Sequence, residues 1–153
     1  LGIEVAEFST KAFLEDLAEY LSVSNDSNSP FTWRTPGVYA PIEFGIYAMV
    51  APPKRNRTGD LVIRVYDSAS DPTLSDSTLA IQFDFYGGAQ AVLDASDYVF
   101  NRLQGLWGVT IGDVKVVQGS RTSGAPWGQD EGDNLRQTEN YELDVHRPST
   151  NRQ

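Results

Sequence analysis

The sequence has no cysteine and a single histidine, His146, in 153 residues. Disulfides, thiolate metal sites, thiol nucleophiles and histidine pairs for a metal are therefore excluded. No run of about 18 apolar residues occurs, which excludes a membrane-spanning helix. Leu1 to Thr10 carries neither the basic region nor the apolar stretch of a signal peptide. Leu1 in place of Met points to trimming or an unusual start codon. Basic residues are scarce: 12 Lys and Arg stand against 21 Asp and Glu, for a formal charge of −9. Such a chain repels phosphates, which argues against a sequence-specific DNA binder and leaves room for a protein that lets DNA pass without adhering. The same charge also serves solubility.

What is present suffices for a core. Hydrophobic residues make up 40% and aromatics 11%, so one domain over 1–153 is expected, ordered from about 8 to 146, with a polar tail over 147–153. After Ser9 and Thr10, which offer an N-cap, Phe13, Leu14, Leu17, Ala18 and Leu21 recur at helical spacing until Ser22. Ser24 to Pro30 is turn chemistry. Phe31 to Arg34 is a short β-prone piece, and Glu43 to Val50 a strand closed by Pro52-Pro53. The polar connection Lys54 to Asp60 has the character of a hairpin loop. Leu61 to Asp67 and Leu79 to Tyr86 alternate cleanly, so the three strands are expected to form an antiparallel meander. Gly87-Gly88 opens a second helix carrying Val92, Ala95, Val99, Leu103 and Leu106, ended by Gly105 or Gly108. Short strands are expected at Val114–Val117 and Tyr141–His146, separated by a long loop, Gly119 to Thr138. The fold class is α+β: a mixed, mainly antiparallel sheet with two helices packed on one face.

No catalytic constellation emerges. His146 sits near the end of the last strand and reads as a surface residue. Gln129-Asp130-Glu131-Gly132-Asp133-Asn134 gathers oxygen ligands but lacks the EF-hand spacing and reads as an acidic turn. Gly87-Gly88 has neither the Walker nor the dinucleotide pattern and reads as a turn pair. Catalytic, cofactor and metal residues are thus expected to be none. The second face of the sheet is more informative. It carries Val62, Arg64 and Tyr66, then Gln82, Asp84 and Tyr86, joined in one register by Tyr47 and Met49. Tyr, Arg and Met suit an association surface, and an ordinary half-wet sheet face has the same look.

The order of segments carries a resemblance. Its elements are the helix with Phe13, Leu14, Leu17 and Leu21, then Phe44-Gly45-Ile46-Tyr47 through Pro52-Pro53 to Leu61–Tyr66. There follow Ile81-Gln82-Phe83-Asp84-Phe85 running through Gly87-Gly88 into a helix, and Gly128-Gln129-Asp130, Arg136 and Asn140-Tyr141-Glu142-Leu143 near the end. Over roughly Phe8 to Val145 the chain resembles the tail terminator, or tail-to-head joining, proteins of long-tailed bacteriophages, related to minor capsid protein families of phages of Gram-positive hosts. It departs from them at Phe85-Tyr86-Gly87, where relatives often show Arg-Gly.

The resemblance implies a virion protein of the tail and neck, assembled in the bacterial cytoplasm. In such a role copies of the chain form a ring of six that caps the tail tube and meets the tube protein and the head-tail connector or stopper. Genomic DNA passes through the opening without sequence-specific binding, and no membrane is involved. Candidate assembly contacts are Lys54, Arg55 and Arg57; Trp127, Asp130 and Arg136 in the long loop; and Tyr47, Arg64, Tyr66 and Tyr86 on the sheet. Competing readings are another neck component such as a stopper or head-completion protein, an adaptor domain binding through its tyrosines, and a ligand- or metal-binding domain using Asp130, Asp133 and His146.

Overall fold

The computed structural model describes residues 8–35, 37–70, 76–129 and 132–147, with the side chains of Ser70, Asp76, Pro126, Trp127 and Gln129 left out. Helix α1 spans Thr10–Leu21 and helix α2 Ala89–Leu103; the strands are β1 Phe31–Thr32, β2 Phe44–Ala48, β3 Gly59–Ser70, β4 Asp76–Gly88, β5 Trp107–Ile111, β6 Val114–Gln129 and β7 Asn134–His146. They form one sheet in the order β1-β2-β3-β4-β7-β6-β5. The α+β class follows directly, with both helices against one face.

Ser9 caps α1 as its type suggests, its hydroxyl accepting from the Ala12 amide at 3.2 Å. The five apolar positions of α1 are buried. Each fully buried Leu or Phe contributes about 1.5–3 kcal/mol, so tertiary burial stabilises this short helix far more than its cap does. At its end Ser22 bridges to Phe31, and Tyr98 of α2 donates to Asp26 at 2.8 Å, tying the following turn down. Arg102 of α2 lies over the Tyr20 ring at 4.4 Å, linking the two helices. Helix α1 touches β2 and β3 and also β5. Strands lie about 4.8 Å apart, so a flat sheet could not bring its second and seventh strands to one helix; the sheet curls around α1.

Two expectations about the sheet are overturned. The first is the all-antiparallel meander: β1 pairs with β2, and β2 with β3, in parallel, and only β3 and β4 form the expected antiparallel pair. The stretch 49–58 is therefore a crossover and not a hairpin loop. It has to return only the length of a five-residue strand, and ten residues reach at most about 33 Å, so no crossover helix is needed. The second is the long loop. Residues 119–129 continue β6, and 134–138 belong to β7, forming a long hairpin. Its β6 arm is exposed over 120–125, so no apolar alternation marks it. Strand β5, also largely exposed, leaves no signal for the same reason.

Gly87 is needed where it stands. Its φ is +146°, and a Cβ there would lie 2.6 Å from the Gly59 Cα of the paired strand. Of the glycine pair read from sequence as a turn, Gly87 serves this close backbone approach, while a Cβ at Gly88 would meet open space.

Tyr141 is fully buried on β7, and among the described residues its hydroxyl finds no partner. Burial pushes its phenol above the usual range. An unsatisfied buried hydroxyl costs about 1–3 kcal/mol. Tyr141→Phe is therefore expected to stabilise the fold by about 1 kcal/mol, read as a higher urea midpoint; a lower midpoint would show that the hydroxyl has a partner.

Candidate assembly surface

The crossover 49–58 returns over the helix-free face and carries Arg55 with it. There Arg55 meets two carboxylates. Its guanidinium donates to Asp60 and to Asp84, Nη1 lying 3.3 Å from Asp84 Oδ2 and Nη2 3.2 Å from the Asp84 carbonyl oxygen. Arg64 of β3 reaches Asp84 Oδ2 at 3.4 Å, and Arg136 of β7 grips the same carboxylate at 3.2 and 3.0 Å. The strand pairings explain the convergence: Val62 lies opposite Asp84, and Tyr86 opposite Arg136, so these side chains share one face. Arg55 also stacks 5.2 Å from the Tyr86 ring centroid, and Asn134 donates to the Tyr86 hydroxyl at 3.3 Å.

The side chain of Asp84 is 0% exposed, while those of Arg55, Arg64 and Arg136 are 18%, 30% and 40% exposed. A carboxylate this deep is tolerated only when paired, and three guanidiniums supply that. Their outer N–H groups remain at the surface. Asp60 is buried beside them, and burial pushes its carboxyl up even though Arg55 and the Asn56 amide, at 2.7 Å, favour the charged form.

Of the ten candidate residues, the structure brings Arg55, Arg64, Tyr86 and Arg136 together. Tyr47 stands at the edge of this group, T-shaped against Tyr39 at 5.3 Å. Lys54 and Arg57 are exposed on the crossover, the Arg57 guanidinium beside Gly132 at the hairpin tip. Tyr66 lies within the irregularity of β3 and is 55% exposed, apart from the cluster. The Trp127 side chain and Asp130 lie outside the described residues. Sequence reasoning missed the hub. Asp84 is a charge set between Phe83 and Phe85 in mid-strand, and that placement was the available signal.

A second feature lies at the β1–β2 edge. An open groove of about 530 Å³ is lined by Trp33, Tyr47, Met49 and Val50, with Lys11 and Glu15 of α1 at its rim. Beside it Arg34 donates to both oxygens of Glu43, at 2.5 and 2.6 Å, and the Ala40 amide donates to Glu43 at 2.7 Å. Chiefly through Arg34, the Glu43 carboxyl is held at about 2, against an ordinary 4.5. A depressed carboxylate stabilises the fold above its unfolded pKa and loses that contribution as pH falls through the folded value. The Glu43 carboxyl carbon is accordingly expected to titrate near 2 by NMR. A midpoint at the ordinary value would mean that the Arg34 pair is absent in solution.

On the helix side, Glu139 is buried against α2. Ser96 donates to it, as do Gln137 at 3.0 Å and Arg121 at 3.1 Å. This network pins the β6–β7 hairpin to the helix.

Of the competing ligand-site residues, Asp133 and His146 do not converge. Asp133 precedes β7 and His146 ends it, a span of 13 residues or roughly 40 Å. Among the described residues no group of three or more His, Asp or Glu could hold a metal ion.

A scan against protein-family models found no match. No curated protein matches the sequence. Among solved structures, a chain of the virion of a native gene transfer agent particle aligns with a TM-score of 0.56 at 14% identity, covering 90% of this chain and 98% of that one. A crystal structure from Akkermansia muciniphila aligns at 12% identity with a TM-score of 0.34, over 59% of this chain and 40% of that one, too low to carry an argument. The chain thus shares its fold, nearly end to end, with a chain of a gene transfer agent virion.

Proposed function

We propose that this protein is a structural component of a phage-like virion, acting as a tail terminator: a ring-forming subunit that ends tail-tube polymerisation and joins the tail to the head. The observation that carries this reading is the near-complete overlap with a chain of a gene transfer agent virion, 90% of this chain on 98% of that one. A fold shared over whole chains supports a shared kind of job more than a partial overlap would, although fold alone does not specify function. The helix-free face agrees, since an Arg- and Tyr-bearing surface over a rigid sheet suits protein contact. The ring passes DNA through its opening, and the net charge of −9 disfavours adsorption of phosphates there.

The test is to mix the purified chain with tail tubes and, separately, with portal-bearing heads, and to image both by electron microscopy. Caps at tube ends, with tubes no longer elongating, are expected. Decoration of heads alone would assign the chain to a stopper or head-completion role, and binding to neither would end the reading.

A further inference from the structure

The chain carries a second charged surface, and it is acidic. Glu15, Asp16 and Glu19 project from α1, and Asp113, in the β5–β6 turn, stands beside them. Glu15 and Glu19 are four residues apart, a spacing at which like charges repel on a helix. No basic residue occupies the last turn of α1. Among the described residues none of these four carboxylates enters an ion pair; the pairs that form use Glu43, Asp60, Asp84 and Glu139. Lys11 lies one helical turn before Glu15 and forms no such pair either. Burial and then the charges of Glu19, Asp113 and Glu15 raise the Asp16 carboxyl. The repulsion within this ridge is thus left standing in the isolated subunit.

The basic surface lies across the sheet. Lys54 and Arg57 are exposed on the crossover, flanking Arg55, with the Arg57 guanidinium beside Gly132 of the hairpin tip. Helix α1 packs on the opposite face. Among the described residues no ion pair joins the two surfaces of one molecule. We infer that the acidic ridge of one copy, Glu15, Asp16, Glu19 and Asp113, docks on the Lys54–Arg57 crossover of a second copy, front to back.

The occupant is argued from complementarity. Copies of a chain at −9 repel one another at random orientation, and this pairing sets opposite signs against each other. A front-to-back contact is heterologous, so it propagates into a closed ring or an open filament and not a two-fold dimer. The inference rests on the ring reading above and gives that ring its contact.

Two exposed-site variants test it without touching the buried cluster: Lys54→Glu with Arg57→Glu, and Glu19→Lys with Asp113→Lys. Self-association is followed by mass photometry, free and on tail tubes, with melting temperature as a check on folding. Each variant alone is expected to associate at least about tenfold more weakly than the wild-type chain, with its melting temperature unchanged. Mixed in equal amounts, the two are expected to regain assembly. In alternation half of the interfaces set an intact acidic ridge on an intact basic crossover, and the others set the Glu-bearing crossover against the ridge that carries the two new lysines. Wild-type association should also weaken as salt rises.

If the wild-type chain assembles and the variants assemble equally well, or their mixture fails to recover, the proposed contact is wrong while the ring reading stands. A wild-type chain that neither associates nor caps tubes overturns both. Recovery by addition of DNA and not by mixing would make the basic surface a phosphate contact and overturn the contact between copies.

Discussion

Asp84→Ala is expected to destabilise the fold by about 3–5 kcal/mol, the range for removing one partner of a buried ion pair. The reason is geometric. Asp84 is wholly buried and shared by Arg55, Arg64 and Arg136. Without it, three cations are left around an empty centre and lose their charge-assisted bonds together. Arg55 keeps Asp60, so the crossover is not wholly released. Asp84→Asn retains a carbonyl acceptor and is expected to fall at the lower end of the range. Arg64→Met leaves Asp84 two of its three arginines and is expected to cost less than either. Urea unfolding of the three variants gives the ordering. A domain of this size has about 5–15 kcal/mol in all, so the loss would be plain. An Asp84→Ala variant as stable as the parent would show that the cluster is a surface feature with no hold on the sheet.

The elements that sequence disclosed are those that bury a patterned face. Helix α1 has its five apolar residues at helical spacing and all are buried. Strands β3 and β4 alternate because one face meets the helices, and Leu61, Ile63, Ile81, Phe83 and Phe85 are buried there. Periodicity reports burial, and it falls silent where burial stops. The β6 arm of the hairpin is held largely by backbone bonds to β7, and backbone bonds leave no trace in side-chain pattern. Strand direction was illegible for a different reason. A polar stretch with two prolines, Pro52 and Pro53, suits a hairpin or a crossover equally well. Tertiary contacts decide: Asn56 donates to the Glu43 carbonyl at 3.0 Å, and its own amide donates to Asp60, which folds the connection back along β2.

The candidate surface was half legible. Arg64 and Tyr86 follow from the alternation of β3 and β4, because a period of two fixes which side chains share a face. Arg55 and Arg136 reach the same place from a crossover and from the hairpin, and only the folded chain brings them there. Their roles divide as sequence could not show. Arg55 is structural, since its guanidinium holds Asp60 and Asp84, whereas Lys54 and Arg57 are exposed on the crossover. A charge reversal that includes Arg55 would therefore confound folding with assembly. The reversal of Lys54 with Arg57 keeps the two apart.

Phe83→Ala is expected to cost about 3–5 kcal/mol by opening a cavity in the centre of the core. Phe83 is fully buried, its ring centroid 5.1 Å from Tyr141 in an edge-on contact and 6.5 Å from Phe85. Two strands meet at this point. Losing the ring removes its contact with Tyr141 of β7, and neighbours on a paired sheet have little room to collapse inward. At this chain length the loss corresponds to a fall in melting temperature of roughly 10 °C. Phe83→Leu keeps most of the volume and is expected to cost less than about 1.5 kcal/mol. The same strand carries Asp84 on its other face, so loosening Phe83 should also loosen the arginine cluster. A Phe83→Ala variant that melted with the parent would show that the ring is not packed in the core as its complete burial implies.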